Sequence, residues 1–196
     1  MKKTVLALVT LVCLTTAATA QKGSILLYGN VGFNTNSNGG DGLSSNPINQ
    51  ANVGSFSINP GVGYQLNSAW TVGVEGGYNY TDNGSEIVKA SKAGAFVRNA
   101  QHLAGIFSIY EQLGVGYQGI SENDGFATAK ASGFYANITP AIYADVKNGF
   151  GLNFSVGGLG YSSIKWDGAS TTGSTFGLTF GKTLSIGLSK NFGGKK

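Results

Sequence analysis

The chain has 196 residues, of which 32 are glycine, 11% are aromatic and only 11% are charged. That charge content is low for a water-facing exterior. The formal net charge of +4 falls to about +2 once Lys2 and Lys3 are set aside with the leader, so the chain offers nucleic acid no basic surface.

Residues 1–20 form an address. Lys2 and Lys3 make a basic start, Val5 to Leu14 an apolar core, and Ala18-Thr19-Ala20 a small-residue cleavage site before Gln21. The apolar core is well short of the roughly 20 residues that cross a bilayer, so the segment is expected to be a signal peptide that is cleaved. Cys13, the single cysteine, leaves with it, and residues 21–196 then form one domain free of thiol chemistry.

No stretch of this domain is apolar enough for a membrane helix; what recurs is alternation with a period of two. In strand one, Ile25, Leu27, Val31 and Phe33 alternate with Leu26, Tyr28, Asn30 and Gly32. A loop rich in glycine and asparagine, Asn34 to Gly54, follows. Strand two places Phe56, Ile58, Pro60, Val62, Tyr64 and Leu66 on one face. After a short connection at Ser68, strand three continues the apolar row with Trp70, Val72, Val74, Tyr78 and Tyr80. Opposite them stand only glycine, serine, threonine, asparagine and Glu75. Such a sheet is inside out, with its bulk on one face and a polar face too small to form a dry core, and a closed barrel with lipid outside satisfies both.

Thr81 to Gly94 is predicted as a second polar loop. Strand four, about Ala95 to Gln101, is irregular, and Arg98 is placed inward because an arginine facing mid-bilayer lipid costs on the order of 2–4 kcal/mol. Strand five, about Gly105 to Gln118, turns Phe107, Ile109, Leu113, Val115 and Tyr117 outward. Glu111 interrupts that row, and a bulge at Glu111-Gln112 would turn it in. Ser121 to Lys130 is predicted as a third loop. Strands six and seven then repeat strands two and three at an offset of about 80 residues: Ile58, Pro60, Val62 and Trp70 correspond to Ile138, Pro140, Ile142 and Phe150. Eight strands in two similar halves follow from that spacing, with a repeated bulge expected where Pro60 and Pro140 delete ladder donors. After a fourth loop at about Lys165 to Gly173, strand eight sets Phe176, Leu178, Phe180, Leu184, Ile186, Leu188 and Phe192 on one face. Lys190 is expected to snorkel to the interface, while Lys182 needs either a bulge or a shifted parity. To seal the barrel, Phe176 to Phe192 should pair with Ile25 to Phe33. The short connections near Ser68, His102 and Asn148 would face the periplasm, and the four long ones the exterior.

The segments Ile58-Asn59-Pro60-Gly61-Val62-Gly63-Tyr64, Phe96-Val97-Arg98, Leu113-Gly114-Val115-Gly116-Tyr117 and Gly187-Leu188-Ser189-Lys190-Asn191-Phe192 resemble the small outer-membrane β-barrel proteins common in Bacteroidetes-type bacteria. The resemblance covers nearly the whole of residues 21–196. It implies an all-β, eight-stranded antiparallel transmembrane up-and-down β-barrel, similar in form to OmpA- and OmpX-type barrels, in the outer membrane of a Gram-negative bacterium. It also implies that Phe192 is the terminal aromatic recognised by the barrel assembly machinery, although Gly193 to Lys196 follow it.

Chemistry is sparse. The one histidine, His102, lies near a predicted periplasmic turn without the His-x-Ser spacing of barrel deacylases, so no catalytic residue is assigned. Asn38-Gly39-Gly40-Asp41-Gly42 and Glu122-Asn123-Asp124-Gly125 carry oxygen ligands but have the composition of ordinary turns, so no metal or cofactor is expected. Glu75, Arg98 and Asp145 are predicted to face a lumen narrow enough for side chains to fill, with Gln112 and Tyr143 near in parity, and a paired internal network follows from the cost of an unpaired charge there. The expected function is a non-enzymatic, monomeric barrel that anchors external loops, of unidentified ligand, for surface interaction or envelope integrity. The alternative is a porin-like small-molecule conduit or ligand carrier, which needs an open lumen or a lateral gap. A soluble lipocalin-like barrel comes third.

Overall fold

The computed structural model describes residues 23–36 and 53–193, so the leader, the body of the first loop with Asn38 to Gly42, and the tail after Gly193 lie outside the described residues. Eight strands follow in chain order: β1 (Ile25–Asn36), β2 (Val53–Gln65), β3 (Trp70–Asp82), β4 (Ile87–Ala104), β5 (Phe107–Asn123), β6 (Thr128–Lys147), β7 (Phe150–Trp166) and β8 (Gly173–Phe192). Each pairs antiparallel with its neighbours, and β8 returns to β1 to close the barrel. Gly23 and Gly193 lie at the same end, called here the terminal end.

Alternation decides which residues face where. Phe56, Ile58, Val62, Tyr64 and Leu66 are exposed on the outside of β2, while Gly61, Gly63 and Gln65 are buried inside. The expected hairpin is present: the Leu66 N–H donates to the Trp70 carbonyl at 2.9 Å, so both apolar rows share the outer face. The tight connection between β6 and β7 has positive φ at both Asn148 and Gly149, the backbone required by a two-residue hairpin of the primed type.

Several expectations are corrected. The second and third loops shrink to the turns Asn83 to Glu86 and Asp124 to Ala127, because β4, β5 and β6 run to 18, 17 and 20 residues. Lys89, Ser91 and Lys130 look like loop residues, yet Lys89 and Ser91 have ladder partners on both sides, and Lys130 pairs with Ser121 and accepts from the Asp167 N–H at 2.9 Å. No bulge rescues Glu111: the β4–β5 ladder runs unbroken past it, leaving the side chain outward and exposed between Asn99 and Pro140. The matching prolines behave differently. The β2–β3 ladder loses its rungs at Asn59 and Pro60 with no change of register, whereas the β6–β7 register shifts between Ile138 and Ala141. In β8 the partner of β7 jumps from Ser185 to Phe180 while β7 moves only from Ser155 to Gly157, so an irregularity in the backbone brackets Lys182. The side chain of Lys182 lies outside the described residues.

The largest correction concerns closure. Among the described residues, β1 and β8 pair only from Ile25–Phe192 to Gly29–Leu188. Beyond Gly29, the rest of β1 pairs with β2 alone, and Phe176 to Gly187 do not seal against it. Phe33 on β1 is consequently 77% exposed, against 39% for Phe56, its partner on β2.

Candidate functional site

The interior of the terminal half is packed. Ser24 is buried and its Oγ donates to Gln65 Oε1 at 2.8 Å, with Leu26, Thr71, Tyr110 and Ser189 buried around the same end. One layer further in, Arg98 of β4 is 5% exposed. Its guanidinium lies over the rings of Tyr28 at 4.5 Å and Tyr110 at 4.1 Å, a stack that suits a planar, weakly hydrated cation. Its Nε and Nη2 both donate to Gln112 Oε1, at 3.0 and 2.7 Å.

Gln112 passes the connection on. Its Nε2 donates to Glu75 Oε2 and to the Tyr28 hydroxyl, each at 2.8 Å. Glu75 also accepts from Tyr28 at 3.3 Å and, through Oε1, from Tyr135 at 2.9 Å. A cation from β4 and an anion from β3 are thus joined through an amide from β5, and tyrosines from β1 and β6 complete the shell. Every member of such a network needs its partners, because an orphaned charge in a low-dielectric interior is expensive. Glycines on the neighbouring strands make the room: a methyl group built on Gly61 would strike the Tyr28 ring, one on Gly114 would strike Glu75, and ones on Gly94 and Gly116 would strike Tyr135.

Of the three charged residues expected in the lumen, Glu75 and Arg98 come together and Asp145 does not. Asp145 is exposed near the β4–β5 turn, where its backbone N–H donates to the Ile106 carbonyl at 2.8 Å. Parity alone gave it an inward place, but its depth in the strand puts it at the rim. Tyr28, Tyr110 and Tyr135 were missed as members. All three stand on the inward parity of their strands, where a tyrosine among glycines, serines and asparagines is the signal that could have found them. His102 is exposed and stands opposite Ser108 in the ladder. Phe192 ends β8 opposite Ile25, and Lys190 reaches over it at 5.7 Å while its Nζ donates to the Asn148 carbonyl at 2.7 Å, a snorkelling geometry.

Next to the network lies a cavity of about 230 Å³, bordered by Glu75, Arg98 and Gln112 on one side and by Asn30, Asn153 and Ser185 on the other. Among the described residues no group of three or more histidines, cysteines or carboxylates is placed to hold a metal ion.

No family model and no curated protein sequence matches the chain. Among solved structures, the fold is similar to that of Neisserial surface protein A, with 16% identity and a TM-score of 0.54 over 88% of this chain and 99% of that one. It is also similar to the outer membrane protein OprG from Pseudomonas aeruginosa, with 14% identity and a TM-score of 0.49 over 88% of this chain and 97% of that one.

Proposed function

We propose that the chain is an integral outer-membrane barrel without catalytic activity, serving surface interaction or envelope integrity. The observation that carries this reading is the inversion of its two faces. Phenylalanine, leucine, isoleucine, valine and tyrosine lie exposed on the outside of the strands, while the buried interior holds Arg98, Gln65, Thr71, Asn153 and Ser189. Water would leave that exterior unsatisfied, and lipid satisfies it, since the ladder consumes the backbone hydrogen bonds of neighbouring strands except along the β1–β8 seam beyond Gly29. The fold shared with a Neisserial surface protein supports the same location.

Strands cross a bilayer in roughly 9–11 residues, so β4 to β8 with 17 to 20 residues each project beyond it. The short turns at the terminal end face the periplasm, and the projecting hairpins form a rim outside. Among the described residues, what the barrel presents to a partner is therefore mostly β-structure, with tight turns at Asn83 to Glu86 and Asp124 to Ala127. Lipid and the assembly machinery are its immediate partners, Phe192 is the residue that machinery takes hold of, and the barrel acts as a monomer. A second reading, a carrier of small molecules, is supported by the incomplete β1–β8 seam and the cavity beside it.

Cell fractionation tests location: the protein should sediment with outer membranes and migrate faster on gels when unheated. Recovery as a soluble periplasmic monomer would sink the reading. The Arg98 network predicts no steady conductance in planar bilayers, and large reproducible channels would put the carrier first.

A further inference from the structure

Two features of the outer half meet at one place. The first is the seam: pairing of β1 with β8 stops at Gly29–Leu188, although the strands still touch there, since a methyl built on Gly187 would lie 3.0 Å from the Gly29 carbonyl oxygen. Immediately beyond, the outward lips are Val31 and Phe33 on β1 and Leu184 and Ile186 on β8, all exposed. The second is the cavity, whose lining includes Gly29 and Asn30 from one lip and Ser185 and Gly187 from the other.

Among the described residues, the cavity wall holds buried polar atoms without partners. Asn153 is 7% exposed, lines the cavity, and has neither its Nδ2 nor its Oδ1 hydrogen-bonded; Asn137 Oδ1, also in the lining, is likewise buried and unpaired. A buried amide lacking partners costs on the order of 1–3 kcal/mol, a cost that an occupant bonded to these groups would relieve. Charge indicates its sign. The charged lining residues are Glu75, Lys92 and Arg98. Glu75 and Arg98 are tied together through Gln112, which leaves Lys92, 5.6 Å from the Tyr135 ring centroid, as the uncompensated cation of the lining among the described residues. Volume indicates its size: about 230 Å³ is below the roughly 300–1,000 Å³ of pockets that enclose whole ligands.

From these observations we infer that the barrel binds a single-chain anionic amphiphile of the carboxylate type, with its head in the cavity against Lys92 and Asn153 and its hydrocarbon chain leaving through the β1–β8 seam into the outer leaflet. The inference rests on the outer-membrane reading, which places the seam in lipid. Beyond the lips an apolar tail meets the exposed Val31, Phe33, Leu184 and Ile186, and the cavity holds only the head and its first carbons.

The test uses the full mature chain refolded into phosphatidylcholine nanodiscs, with radiolabelled dodecanoate as probe. Saturable binding at one site per barrel is expected, with dodecyltrimethylammonium failing to compete. Asn153→Leu and Lys92→Gln should each weaken it about tenfold or more, the effect of losing a hydrogen bond or ion pair to a charged group. The ladder, if continued, would set Val31 opposite Ile186, so a Val31→Cys/Ile186→Cys disulfide should close the seam and abolish binding, with recovery on reduction. Heat-modifiability reports whether each variant has folded. A folded barrel without saturable binding, meaning that ordered water alone satisfies Asn153 and Asn137, overturns the inference and leaves the outer-membrane reading standing. Unchanged binding in the two point variants or in the oxidised double-cysteine variant also overturns it. Failure of the wild type to insert overturns both.

Discussion

The two halves of this barrel solve the same problem differently. In the terminal half the interior is filled: Phe96 lies across Gly63 and Gly73, Arg98 is held between Tyr28 and Tyr110, and β8 completes the ring by pairing with β1. In the far half, Gly160 and Gly177 face each other across β7 and β8, and a methyl built on either would meet nothing within 4 Å. There the ring is also incomplete. Closing a barrel and filling it are thus separate tasks, and this chain concentrates both at the end where the termini meet. Rigidity belongs to the terminal half, and the far half has room for something else.

The sharpest way to break that contrast is to remove its keystone. Deleting Asn191 to Lys196 takes away Phe192, Asn191 and two of the five β1–β8 rungs, leaving Ile25 and Leu26 without partners on that side. Assembly should fail outright, whereas deletion of Gly193 to Lys196 should leave it intact. Heat-modifiable protein in outer-membrane fractions distinguishes the two. Normal assembly without Phe192 would show that the filled half does not depend on its seam.

A second blow falls on the filling. Gln112→Leu has nearly the right volume but removes the acceptor of both Arg98 bonds and the donor to Glu75 and Tyr28. Stranding a buried cation should cost about 3–5 kcal/mol, measured by urea unfolding of the refolded barrel. A loss below about 1 kcal/mol would mean that water already serves Arg98.

The same contrast explains how much was legible beforehand. Period-two alternation specified the outward row, because one residue of slip would reverse every side chain, while the repeat at about 80 residues indicated eight strands and the cost of an arginine in lipid turned Arg98 inward. It could not fix strand ends. Lys89 to Ala93 lack apolar alternation, and only their ladder partners on β3 and β5 show that they belong to β4. Nor could parity reveal depth, which is why Asp145 was grouped with Glu75 although it sits at the rim. Alternation leaves the placement of Glu111 open, inward with a bulge or outward without one, and the ladder has no bulge there. Its place opposite Asn99 makes a polar pair on the outer face, and pairing across strands is invisible until the register is known. The short β1–β8 seam was hidden for the same reason: the rows on both strands are suitable for pairing, yet the pairing stops at Gly29–Leu188.

Outer and inner faces can be compared at two depths, Val74 four residues into β3 from the terminal end and Ser162 twelve residues into β7. Val74→Lys would put an ammonium on the exposed outer face of β3, at a cost of about 2–4 kcal/mol if this face meets mid-bilayer lipid. Ser162→Lys would place it in the open far half, where Gln118 Nε2 donates to Ser162 Oγ at 2.6 Å, and should cost roughly one hydrogen bond, about 1 kcal/mol. Thr71→Lys would be a poor inner control because Thr71 is itself buried against the packed floor. Equal losses at Val74 and Ser162 would contradict the assignment of faces.

The smallest effect is expected at the tip of the far half, where order comes from single side chains. Asp124 Oδ1 accepts from the Phe126 N–H at 2.9 Å and the Ala127 N–H at 2.7 Å, which holds the β5–β6 turn although Phe126 is fully exposed. Those bonds favour the carboxylate, the Ala127 bond most, and hold Asp124 below its ordinary value of 3.8. A depressed folded-state value means that the contribution is complete above the unfolded value of about 3.9 and is lost as pH falls through the folded one. The Phe126 and Ala127 amides should therefore keep their protection from hydrogen exchange through pH 4 and lose it only in stronger acid, without unfolding of the barrel. Asp124→Ala should show the unprotected turn at every pH. If acid released the Arg98 network together with the turn, the two halves would be one cooperative unit, and the division between a rigid terminal half and an accommodating far half would fall.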